Sequence, residues 1–143
     1  MTAKQYLHSI RRLDARMAQL QESIQQYWAG ATSVAQTLDV DGGGRSSTTT
    51  RKPETYVEHV LELKQRYDYL ISRKLHAQLL IEQLEDNVYA ALLTAYYING
   101  KTWEETAVAI GYSEVHTIQS LHPAALSAFQ EILDKDHSLF NEI

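Results

Sequence analysis

The sequence predicts an all-α protein, a long antiparallel helical hairpin of coiled-coil type followed by a tri-helical helix-turn-helix. Three observations carry this. Apolar residues step by threes and fours through two long stretches, and a Gly, Ser and Thr tract separates them. Beyond residue 86 the pattern breaks into three short runs punctuated by Gly100 and Gly111.

In the first stretch Leu7, Ile10, Leu13, Met17, Leu20, Ile24 and Tyr27 line one face of a helix. Thr2 and Gln5 form a capping box that opens it, and Gly30 is its expected stop, so residues 3–28 span about 39 Å. Residues 29–53, "AGATSVAQTLDVDGGGRSSTTTRKP", carry too little apolar surface to offset the entropy of ordering them, which predicts a mobile loop. A phosphate-cradling loop needs a strand before it and a Gly-Lys-Ser/Thr run after it, and neither is present.

In the second stretch Tyr56, Val60, Leu63, Tyr67, Leu70, Lys74, Ala77, Ile81, Leu84 and Val88 alternate steps of four and three, and only Lys74 interrupts the seam. A seam of about 48 Å over residues 55–86 has to be covered. The first helix folded back upon it is one cover. Because the seam outruns that helix, a homodimer through the N-terminal helices is expected as well. Residues 1–86 are therefore assigned to the hairpin and 87–143 to the helix-turn-helix.

Within 87–143, Val88, Leu92, Leu93, Tyr96 and Tyr97 make a helix that ends at Asn99-Gly100. A second capping box, Thr102 with Glu105, opens a helix that stops at Gly111, and Ser113 caps a third carrying Ile118, Leu121, Leu126 and Phe129. Pro123 is expected to split the third into a recognition helix over 113–121, a kink and a terminal helix over 123–133. At 100° per residue Ile118, Leu121, His122 and Ala125 face inward, and His116, Thr117, Gln119 and Ser120 face outward.

Charge is unevenly placed. The net −5 arises entirely in residues 101–143, which hold two basic against seven acidic residues, and no Lys or Arg stands between Thr102 and Asp134. That balance opposes general adhesion to nucleic acid or membrane. The 143 residues contain no Cys, so disulfides and thiolate metal sites are excluded. No run of 18 apolar residues exists and the start lacks a signal-peptide core, which predicts a cytoplasmic protein with no membrane span. His8, His59, His76, His116, His122 and His137 show no metal-ligand spacing, and no nucleophile–base pair comes with a pocket to serve it. No enzyme activity, metal or cofactor is expected.

The segments "MTAKQYLHSIRRLD", "LLTAYYINGKTWEETAVAIGYS" and "LHPAAL" resemble small proteins of phages and prophages of Gram-positive bacteria, grouped with ArpU-type late transcriptional regulators. The resemblance covers roughly two thirds of the chain. It implies an N-terminal helical hairpin, a C-terminal helix-turn-helix similar to the fourth region of bacterial sigma factors, and binding to DNA or at RNA polymerase in the host cell.

Gln, Ser, Thr and His side chains can hydrogen-bond base edges, so Ser113, His116, Thr117, Gln119 and Ser120 are the candidate base readers. Phosphate contacts would come from Arg12, Arg16, Arg51 and Lys52. The alternative that the charge map favours is an acidic protein-binding module of the same fold, acting on a host or phage protein without DNA.

Overall fold

The computed structural model describes residues 1–41 and 53–136. Among them every regular element is helical, and no helix is long and apolar enough to cross a membrane. The elements are α1 (Ala3–Asp41), α2 (Pro53–Ile81), α3 (Asn87–Leu93) with a π-helical turn at Thr94–Ile98, and α4 (Trp103–Ile110). A single turn, α5 (Glu114–His116), then passes through a π-helical turn at Thr117–Leu121 into α6 (His122–Lys135).

The Thr2 capping box opens α1 as expected: the Gln5 N–H donates to Thr2 Oγ1 at 3.2 Å and the Thr2 N–H to Gln5 Oε1 at 3.0 Å. Gly30 does not end the helix, which runs on to Asp41. A glycine stops a helix by taking the left-handed conformation, and among the described residues only Gly100 and Gly111 have positive φ. A Cβ at Gly30 would sit 3.7 Å from the Tyr56 ring, ordinary contact, so the position demands no glycine. Of the expected loop at 29–53, the first part is thus helix, and 42–52, with Arg51 and Lys52, lies outside the described residues.

The chain divides into two compact units. One is Met1–Asp14 together with the chain from Ile71 onward, and the other is Ala15–Leu70. The boundary expected at residue 86 falls inside the first. Short helices offer little apolar area each, so α3 to α6 share a core with the first turns of α1 and the end of α2.

In that first unit Leu7, Ile10, Ala77, Ile81, Leu92, Leu93, Tyr97, Ala125 and Phe129 are fully buried. The Tyr6 and Phe129 rings stack with centroids 6.1 Å apart, and the Ala3 N–H, a donor of the helix start with no intrahelical partner, donates to Gln130 Oε1 at 2.6 Å. After the π-helical turn at Thr94–Ile98, Gly100 (φ 69°) turns the chain, and Arg11 donates to the carbonyls of Tyr96 and of Lys101, the latter at 2.9 Å. Its guanidinium lies 4.0 Å over the Tyr96 ring. Arg11 therefore satisfies one carbonyl of the π-helical turn and one of the connection that follows it, and is held by a cation–π contact.

In the Ala15–Leu70 unit Leu20 and Val60 are buried, while Met17, Ile24, Leu63, Tyr67 and Leu70 are half-buried and Tyr27 is exposed.

The expected kink at Pro123 is replaced by a continuous helix. Leu121 and His122 keep helical dihedrals (φ −72°, ψ −41° and φ −63°, ψ −49°), and the His122 N–H donates to the Thr117 carbonyl, five residues back. Proline clashes with the carbonyl four positions earlier, here Gln119. A widened turn before the ring relieves that crowding without breaking the helix.

Candidate nucleic-acid interface

The candidate surface is built by two capped starts and one glycine turn. In α4 the capping box is complete, with Glu105 N–H to Thr102 Oγ1 at 3.1 Å and Thr102 N–H to Glu105 Oε1 at 3.0 Å. The Thr102 backbone N–H, then its side chain, holds the Glu105 carboxyl below its ordinary range. Gly111 (φ 81°) ends the helix, with its N–H on the Ala107 carbonyl at 2.9 Å. Ser113 restarts it by accepting the His116 N–H on Oγ at 3.1 Å. The Tyr112 and His116 rings pack at 5.5 Å across the turn.

Of the candidate base readers, Ser113, His116, Gln119 and Ser120 are exposed, Ser113 with one lone pair committed to its cap. Thr117 is not exposed. It is completely buried, and its hydroxyl donates to the Ser113 carbonyl at 2.7 Å, so it cannot reach a base edge. Ile118, expected to pack inward, is 37% exposed. Both reversals have one cause: a π-helical turn holds more residues than 3.6, so the 100° wheel loses register at Thr117–Leu121. Of the phosphate-contact candidates, Arg12 is exposed in the first unit, Arg16 in the second, and Arg51 and Lys52 lie outside the described residues.

Sequence reasoning missed an apolar component of this surface. Val108 is 79% exposed and Val115 63%, with Tyr112 also open. On α4 the apolar run Ala107, Val108 and Ile110 does not by itself say which of the three faces out. Val115 stands between Glu114 and His116 in a turn too short to show a periodicity.

Beneath this surface lies an aromatic cluster that fixes α6. His122 Nε2 and the Tyr97 hydroxyl are 2.7 Å apart, Trp103 meets His122 edge-on at 4.6 Å, and Trp103 stacks on Tyr96 at 3.8 Å. Burial, then the charges of Lys4 and His8, push the His122 pKa down to about 4, so the ring is neutral at pH 7. Burial also raises the Tyr97 phenol. The pair is one hydrogen bond inside packed rings, with a structural purpose: it gives the buried Tyr97 hydroxyl and the His122 ring nitrogen each a partner without a charge. Among the described residues no three His, Asp or Glu side chains gather as a metal site would require.

No protein-family model matches the chain, and no curated protein or solved structure is significantly similar to it.

Proposed function

We propose that this chain is a transcription regulator: a helical hairpin carrying a sigma-factor-like helix-turn-helix that acts on promoter DNA held by RNA polymerase. The observation that carries the reading is the composition of the exposed side of α5 and the turn after it. His116, Gln119 and Ser120 offer donors and acceptors suited to base edges, while no Lys or Arg stands between Thr102 and Asp134. Base contacts without phosphate contacts give direction with little affinity, because counterion release supplies most of the binding free energy. Polymerase supplies what is lacking. Exposed Val108, Tyr112 and Val115 provide the apolar contact that a protein surface would cover.

The same apolar residues favour a second reading, in which Glu104 and Glu114 set the module against a basic protein and DNA plays no part. Fluorescence anisotropy with duplexes from the genomic neighbourhood, at about 50 mM salt where electrostatic binding is strongest, separates the two. Weak binding by the chain alone that tightens when polymerase is added supports the first. No complex in either condition rejects it in favour of the second.

A further inference from the structure

The heptad seam is closed in one unit and open in the other. Leu7, Ile10, Leu13, Ala77, Ile81 and Leu84, all in the first unit, are at most 8% exposed. Within Ala15–Leu70 the same pattern buries only Leu20 and Val60, and leaves Tyr27 at 48%, with Leu63, Tyr67 and Leu70 half-buried. Two helices bury one stripe each and cannot enclose side chains on the flanks of that stripe. The flanks here are grooves. One, of about 540 Å³, runs between Tyr27, Tyr56 and Leu63, and a second, of about 520 Å³, between Leu20, Tyr69 and Leu70. Arg16, Glu62 and Arg66 border both.

We propose that this open seam is the seat of a second copy of the chain, packed by two-fold symmetry into a four-helix bundle. Tyr27 and Leu63 lie at its centre, and Arg16 of each copy faces Glu62 of the other. Charge decides the occupant. A phosphate-bearing ligand entering either groove meets the Glu62 carboxylate, and a basic peptide meets Arg16 and Arg66. A surface with both signs and an apolar floor matches itself, as an isologous interface requires. The seam's continuing steps of three and four supply the knobs for bundle packing. This inference does not depend on whether the chain reads DNA, and its test uses no nucleic acid.

Sedimentation of the full chain at micromolar concentration should give twice the 16.3 kDa monomer mass. Arg16→Glu alone places two carboxylates in each cross-copy pair and should weaken the dimer at least about tenfold, and Glu62→Arg alone should do the same with two cations. Mixing the two variants should restore dimerisation, because in the mixed pair both contacts join opposite charges. No rearrangement within one chain can reproduce that rescue. Circular dichroism of each variant checks that its helices persist. A 16.3 kDa wild-type species overturns the proposal, as does a dimer that neither variant weakens or a mixture that fails to recover.

Discussion

Lys74 Nζ and Asp14 Oδ1 are joined at 2.6 Å, a contact between residues sixty positions apart. It explains the one polar residue in the α2 seam: the ammonium leaves the apolar stripe at its edge and meets a carboxylate on α1. Both side chains keep partial access to water, 25% for Lys74 and 38% for Asp14. Solvent screening therefore limits the pair. Replacing either by Ala should cost less than about 1 kcal/mol, and a double-mutant cycle by urea denaturation should return a coupling of about 0.5 kcal/mol. Lys74→Met, which extends the apolar seam, should be neutral or stabilising. A coupling above about 2 kcal/mol would mean that the pair is functionally buried.

The two left-handed glycines should respond differently to alanine. At Gly111 an added Cβ meets nothing within 4 Å, so only the backbone conformation resists and the cost should be about 1 kcal/mol. At Gly100 the Cβ would stand 2.9 Å from Asp14 Oδ2, which has to move away from its place beside Lys74. Gly100→Ala should therefore lose more stability than Gly111→Ala, by about 0.5–1 kcal/mol, in the same urea assay. Removing the carboxylate with Asp14→Ala should erase most of that difference.

Acid should weaken the fold through His122. Its folded pKa, about 4, lies below the ordinary 6.5, so between those values the unfolded chain binds a proton that the folded chain refuses. Stability is fully present above pH 6.5 and falls as the pH drops towards 4, by at most about 3 kcal/mol from this group. Denaturant midpoints measured at pH 7 and pH 4.5 should show the loss, and His122→Gln should flatten it. An unchanged slope in that variant would place the acid sensitivity elsewhere.

How far the sequence could be read depended on the distance over which each signal acts. The caps at Thr2, Thr102 and Ser113 and the turns at Gly100 and Gly111 were legible because each is settled by residues within one helical turn. Gly30 misled for the complementary reason: a glycine is free to turn the chain, and nothing local says whether it does. The partner of Lys74 could not be found from periodicity, which describes one helix at a time. At the candidate interface the failure was angular. Inserting a π-helical turn before Pro123 moved Thr117 into the core and Ile118 out of it, while Gln119 and Ser120 stayed exposed.

That rearrangement makes the interface testable residue by residue. If α5 and its following turn read bases, Gln119→Ala or His116→Ala should reduce discrimination among sequences by about 1–3 kcal/mol per lost bidentate contact. Thr117→Val should leave discrimination untouched, because its hydroxyl already serves the Ser113 carbonyl; it should instead cost about 1 kcal/mol of folding stability. Arg12→Ala should weaken all duplexes alike, the mark of a phosphate contact. The slope of log affinity against log salt, about −0.9 per phosphate contact, should correspond to only two or three contacts, since residues 102–134 carry no Lys or Arg. Val115→Ser, which removes the apolar contact without adding charge, should spare binding by the isolated chain and reduce the gain on adding polymerase, because the side chain is 63% exposed and supports no core. A steep salt slope, or discrimination that follows Thr117 in place of Gln119, would overturn this assignment of the reading surface.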